Sequence, residues 1–416
     1  MAPIRWARPS AGNARMSNIA STADDTPDLT DAIGLTQALV RVPSVTPDAG
    51  AVLDLLEGWL ATLGFETSRL VFQAPDTPDV DNLFAIIGDG GPHFCFAGHV
   101  DVVPTGAAEA WTDPPFSGVV REGYLYGRGA TDMKSGVGAF VAALAQFLAP
   151  EGDGEGGLAE GGQISLVITG DEEGPAINGT DKVLAWMREN GTRPDHALVG
   201  EPSGKAVLGD QIRVGRRGSV SGTLRVSGVQ GHVAYPELAE NPVPALSRAL
   251  SAISGPLDEG NNAFPPSNLE VTGLDCPGLA DNVIPGAAAA RFNIRFNTRH
   301  DPESLKALLA GRIAAATGEG AVWTLDLDAR HNAPFLTEDH AFVGLISEVV
   351  EAETGQRPQL STSGGTSDAR FFKGFCPVVE LGLPGLTLHA VDERVALADV
   401  TGLQALYLRL LERYFR

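Results

Sequence analysis

Phe94-Cys-Phe-Ala-Gly-His-Val-Asp101 opens as an unbroken apolar run and closes on a histidine and an aspartate two residues apart. Such a run reads as a strand buried on both faces, with the polar pair at its carboxyl end. In open α/β sheets that end is where sites are built. Runs of the same character occur at Asn82-Leu-Phe-Ala-Ile-Ile87, Ile164-Ser-Leu-Val-Ile-Thr169 and Ala197-Leu-Val199. Leu35 and Leu39, then Val52, Leu55, Leu56 and Leu60, recur at helical spacing within 29–40 and 50–62, and Pro43 and Pro47 separate the two segments. An Ala- and Val-rich helix is expected over 136–148. Strands alternating with helices predict a layered α/β domain.

From about Gly215 the pattern changes. Residues 219–226 and 288–297 alternate like half-exposed strands, and helical segments lie near 244–253 and 302–316. A compact α+β unit over 215–328 is therefore expected as an insertion, dividing the larger domain into 29–214 and 329–416. Apolar runs resume at Pro377-Val-Val-Glu-Leu381. The stretch 151–162, nearly all Gly and Glu, reads as a surface loop. Residues 1–28 read as a disordered leader, with Met1 or Met16 as the start.

A length of 416 residues fits two domains. The net charge of -22 argues against nucleic-acid or anionic-membrane partners and does not exclude an anionic small-molecule substrate. Cys95, Cys276 and Cys376 are too few and too scattered for a disulfide framework, and no run approaches the ~18 apolar residues of a membrane span, so a cytoplasmic location is expected. A Gly-Lys-Ser/Thr phosphate loop, a Gly-x-Ser-x-Gly elbow and a strand-linked Gly-x-Gly-x-x-Gly fingerprint are all missing.

What remains is a set of acids and imidazoles: His99, Asp132, Glu173, Glu201 and His389, with Glu172 directly before Glu173. Taken singly each has a bland reading, such as a loop histidine, a helix N-cap for Asp132 or solvated charge for the glutamates. Taken together, two imidazoles and three carboxylates suffice for two zinc ions if one carboxylate bridges, and Asp132 is the candidate bridge. Metal ions ~3.5–4 Å apart activate a water and polarise a carbonyl together. Adjacent Glu172 and Glu173 reach one site only if the backbone turns there, and the expected division is Glu173 on metal and Glu172 as general base. Asp101 is expected to orient His99 through the far ring nitrogen.

With these residues in place the chain resembles the co-catalytic zinc aminoacylase and carboxypeptidase family from about residue 30 to the C-terminus. The likeness lies in Gly98-His-Val-Asp101, Tyr126-Gly-Arg-Gly-Ala-Thr-Asp-Met-Lys134, Glu172-Glu-Gly174 and Gly200-Glu-Pro-Ser203. It implies a zinc-peptidase-like catalytic domain with a mixed sheet flanked by helices, plus an inserted α+β dimerisation domain. It also implies two Zn2+ per subunit, replaceable by Co2+ or Mn2+, with Asp132 bridging, His99 and Glu201 on one ion, and Glu173 and His389 on the other. In such enzymes the Asp132–Met133 peptide is cis. Narrower motifs, Val214-Gly-Arg-Arg-Gly-Ser219, Gly231-His-Val-Ala-Tyr-Pro236, Asp281-Asn-Val-Ile-Pro285, Arg291-Phe-Asn-Ile-Arg295 and Gly365-Thr-Ser-Asp-Ala-Arg-Phe371, imply hydrolysis of N-succinyl-LL-2,6-diaminopimelate in lysine and diaminopimelate biosynthesis. The resemblance implies a homodimer in which His232 reaches the partner's site. Arg216, Tyr235, Asn282, Arg295, Thr366 and Ser367 become candidates for substrate contacts. Acetylornithine deacetylation, carboxypeptidase activity and a catalytically silent metal-binding scaffold are the competing readings. Gly385 stands where the family commonly has an Asn.

Overall fold

The computed structural model describes residues 27–149, 157–158, 161–277 and 280–416. Nearly all of the expected leader, and residues 151–156 and 159–160 of the glycine-rich stretch, lie outside the described residues. An eight-stranded mixed sheet runs in the order Glu66–Phe72, Val80–Gly88, Gln163–Thr169, His93–His99, His196–Val199, Val378–Glu380, Gln211–Arg213 and Gln359–Ser361. His93–His99 lies parallel to both its neighbours, and Val378–Glu380 continues parallel to His196–Val199. The carboxyl ends that carry His99, Glu172, Glu173 and Glu201 therefore emerge at the same end of these central strands.

The strand opening on Phe94 is apolar throughout because both of its faces are covered. Phe94 and Phe96 point into a core shared with the helices Ala32–Arg41, Ser135–Leu148 and Leu397–Tyr414. Cys95 and Ala97 point the other way, into a cluster with Val183, Leu184 and Met187 of the helix Thr180–Glu189. Ser135–Leu148 is apolar on nearly every side because it is sandwiched between the sheet and two helices. Phe140 of that helix stacks on Phe96 with ring centroids 4.0 Å apart. At Gly138 a Cβ would come within 2.8 Å of Thr36 Oγ1, so this crossing needs glycine.

A second sheet of five antiparallel strands runs in the order Gly255–Pro256, Asn268–Asp275, Ala287–Phe296, Gly218–Ser227 and Val322–Leu327. One face carries Val220, Leu224, Val226, Phe292 and Ile294 into a separate core with Pro242–Ile253 and Pro302–Thr317. Asp301 and Ser304 close a capping box at the start of the second of these helices. No helix among the described residues is long and apolar enough to cross a membrane.

Candidate metal centre

His99 ends its strand with its ring buried, and Glu201 follows the neighbouring strand His196–Val199. Asp132 lies in a kinked turn ahead of Ser135–Leu148, and the Asp132–Met133 peptide is cis. The Met133 side chain packs directly over Gly98, where a Cβ would lie 2.5 Å from Met133 Cε. His389 enters from a turn, with φ of 58°, and its side chain is half exposed.

Asp132 divides its two oxygens between two groups. Oδ1 lies 3.2 Å from His99 Nε2, and Oδ2 lies 3.3 Å from His389 Nε2. Glu201 Oε1 stands 3.3 Å from His99 Nε2, and Glu173 Oε1 stands 2.9 Å from His389 Nε2. Two triads thus share one carboxylate. Ligand atoms of His99, Asp132 and Glu173 lie within 4.8 Å of one another, and so do those of His99, Glu172 and Glu201. Glu172 is therefore inside the cluster, but it bonds to neither ring nitrogen.

The turn that brings both glutamates inward is held by Asp101. Its Oδ1 accepts from the Glu172 amide at 3.2 Å and its Oδ2 from the Glu173 amide at 3.0 Å. This corrects the expected role of Asp101. The His99 Nδ1–H donates to the backbone carbonyl of Asp101 at 2.9 Å, whereas the carboxylate stands 3.7 Å away. Either way Nδ1 carries a proton, so in the neutral ring Nε2 offers its lone pair to the cluster.

The donor set fits divalent cations. Five carboxylates, Asp101, Asp132, Glu172, Glu173 and Glu201, surround two imidazoles, and among the described residues no Lys or Arg forms a salt bridge with any of them. Burial, reinforced by the charge of Glu201, pushes the Glu172 pKa well above the ordinary carboxylate range. Burial and Asp132 likewise raise Glu201 to about 7, and burial raises Asp101 to about 6. Burial opposes charge on His99, but Asp132 and Glu201 outweigh it and raise the imidazole well above its usual value. Hydrogen bonds to Asp132 and Glu173 raise His389 to about 10. Imidazole nitrogen with carboxylate oxygen is a donor set that zinc accepts.

Two residues without an assigned role, Arg128 of the Tyr126–Lys134 motif and Glu393 four residues past His389, complete the site. Glu393 accepts from the amides of Gly129, Thr131 and Asp132 at 3.1, 2.8 and 3.2 Å, and pairs with Arg128 at 2.6 Å. Arg128 also donates to the carbonyls of His389 and Ala390, each at 3.3 Å. This buried pair fastens the Asp132 turn to the His389 turn. No local pattern could show it, because the partners are 265 residues apart.

The substrate candidates divide into three groups. Arg295 and Thr366 line a cleft of about 460 Å³ together with Glu172, Glu173 and His389. Arg216 and Ser367, expected to hold substrate, are instead engaged with Glu380. Arg216 Nε and Nη2 donate to its two oxygens at 2.9 and 2.5 Å, and the Ser367 hydroxyl donates to Oε1. Nη1 of Arg216 holds the Gly365 carbonyl at 2.8 Å, so the pair shapes the loop behind Thr366. His232, Tyr235 and Asn282 are gathered on an exposed arm where Gly231–His232 pairs with Val283–Ile284, and none of them lines the cleft.

Comparison with known proteins agrees with this geometry. Residues 95–413 match the model of peptidase family M20/M25/M40. The chain is 54% identical over 387 residues to a succinyl-diaminopimelate desuccinylase of Rhodospirillum centenum, covering 92% of this chain and 97% of the relative. It is 53% identical over 384 residues to one from a Methylobacterium strain, covering 92% and 96%. Among solved structures, a Staphylococcus aureus tripeptidase superposes with a TM-score of 0.71 at 20% identity, covering 92% of this chain and 98% of that one. A dinuclear metal-binding M20 peptidase of Bacillus subtilis superposes with a TM-score of 0.65 at 17% identity, covering 92% and 97%.

Proposed function

The chain belongs to peptidase family M20/M25/M40, and from that premise we propose that it hydrolyses the amide of N-succinyl-LL-2,6-diaminopimelate to succinate and LL-2,6-diaminopimelate. The observation that carries this reading is the division of the Asp132 carboxylate between a His99–Glu201 side and a His389–Glu173 side, with Glu172 left over beside them. The relatives named above supply the substrate.

Zinc is the metal we assign, with His99, Glu201 and Asp132 holding one ion and His389, Glu173 and Asp132 the other; cobalt and manganese accept the same donors. Bound there, the pair acidifies water and polarises the amide carbonyl. Glu172 takes the proton of the attacking water on a carboxylate oxygen and returns it to the departing amine nitrogen. Burial suits Glu172 to that exchange, because its raised pKa makes the carboxylate a stronger base. Asp101 aims Glu172 through the backbone amide. Arg295 and Thr366 face the cleft and meet the carboxylated substrate there.

The active unit is a homodimer joined through residues 215–328. Val229, Val233, Tyr235 and Leu238 expose apolar surface around His232. His232 Nδ1 accepts from the Ala234 amide at 3.0 Å, which leaves Nε2–H as an outward donor. That donor suits the oxyanion formed at the partner's site. We place the reaction in the cytoplasm, in keeping with three free cysteines.

The test is a side-by-side assay of zinc-loaded protein on N-succinyl-LL-2,6-diaminopimelate and N-acetylornithine. Preferred turnover of the succinyl substrate supports the reading. Preference for acetylornithine replaces it with a deacetylase.

A further inference from the structure

The loop 363–366 borders two cavities, with Ser363 lining one and Gly365 and Thr366 the other. One is the cleft beside Glu172 and His389. The other is larger, about 780 Å³, and is lined by Arg213, Lys205, Asn261, Asn262, Ser363 and Leu388 among others. Leu388 directly precedes His389, so the second cavity adjoins the wall of the metal cluster.

Arg213 is the unusual group in it. It ends the strand Gln211–Arg213, opposite Ser361 on one side and Glu380 on the other. Its Nε is buried with no hydrogen-bond partner, and among the described residues it forms no salt bridge. Arg216 beside it differs sharply, since Glu380 takes up that charge. The two guanidinium groups flank Gly364, whose φ is 109°, and a Cβ there would lie 2.8 Å from Nη1 of each. Burial and the neighbouring Arg216 both disfavour charge on Arg213, while Glu380, Glu201 and Asp132 favour it. A guanidinium does not release its proton in a protein, so Arg213 gives the cavity wall a positive charge that no carboxylate among the described residues pairs with. Glu259 is the one carboxylate among the residues lining the cavity, and it forms no ion pair with Arg213. A planar carboxylate carried by a ligand fits the guanidinium fork.

We propose that Arg213 binds the carboxylate at the distal amino-acid end of the substrate, across the loop from Arg295. This rests on the substrate assigned above, whose two ends both carry carboxylates. Arg213 then selects diaminopimelate derivatives over analogues ending in a bare amine. It acts on binding and not on the bond-breaking step.

The experiment compares wild type, Arg213→Gln and Arg213→Lys on N-succinyl-LL-2,6-diaminopimelate and on Nα-succinyl-L-lysine, which lacks only the distal carboxylate. In Arg213→Gln, KM for the first substrate should rise about 10- to 100-fold, with kcat within about threefold and zinc content unchanged. KM for succinyl-lysine should not move, and Arg213→Lys should recover part of the loss. Calorimetric binding of LL-2,6-diaminopimelate to the zinc-loaded proteins should weaken in parallel. Unchanged KM, or equal losses on both substrates, would overturn the proposal. If wild type turns over neither substrate, the assigned reaction falls. The binding arm then decides Arg213 alone: equal affinity in wild type and variant, or no binding to either, refutes it.

Discussion

The two sides of this site differ in how much of their surroundings a single chain supplies. The wall formed by the Asp132 and His389 turns is over-determined. Glu393 holds three amides of one turn, and its partner Arg128 holds two carbonyls of the other. Lys134 Nζ adds two bonds, to the carbonyls of Leu39 and Val42, each at 2.9 Å. The arm carrying His232 has little of this. Its ring is exposed, with one bond from the Ala234 amide and Tyr235 5.6 Å away between centroids. The contrast separates metal positioning, which is built into the sheet end, from oxyanion contact, which the proposed dimer must bring in.

The sharpest way to break this division is Glu172→Gln. It should lower kcat by about 10²- to 10⁴-fold while leaving metal content intact. Loss of metal instead would reverse the roles of Glu172 and Glu173. On the arm, His232→Ala should lower kcat about 10²- to 10³-fold without touching metal. Mixing it with Glu172→Gln should then restore activity through hybrid dimers, and no recovery on mixing would mean that the arm serves its own chain or no site.

Glu393→Ala tests the rigid wall. Breaking the buried pair should cost about 3–5 kcal/mol of stability, read as a lowered denaturation midpoint, and should also weaken metal binding. Stability and metal affinity both unchanged would show that the clamp is incidental.

The smallest effect is in protons. In chelated protein the raised His389 and His99 contribute stability that is complete below the unfolded histidine pKa of about 6.5. For His389 this is lost as pH rises through about 10. Metal needs neutral imidazole, so its affinity should move the opposite way and strengthen with pH. Calorimetry in buffers of different ionisation enthalpy at neutral pH should show net proton release on zinc binding, and zero release would contradict the protonated apo cluster.

Much of this architecture was legible because it is local. The strand His93–His99 and the helix Ser135–Leu148 announce themselves as uninterrupted apolar runs, and the metal candidates sit at their ends. The strand Asn268–Asp275 carries no such signature. Only Leu269 in it is buried, and its register shifts between Val271 and Gly273, which erases the alternation. Arg216 and Ser367 looked like substrate contacts because nothing in sequence places Glu380 between them. Asp101 sat close to His99 as expected, but sequence spacing does not say whether a carboxylate or a carbonyl faces the ring.

The most direct test of the central claim is succinate release from N-succinyl-LL-2,6-diaminopimelate by chelator-treated protein, before and after zinc is returned, with bound metal counted. The account predicts no release from the stripped protein, and release that rises with zinc to a stoichiometry of about two per chain. Full activity without metal, or two bound ions with no succinate released, would contradict it.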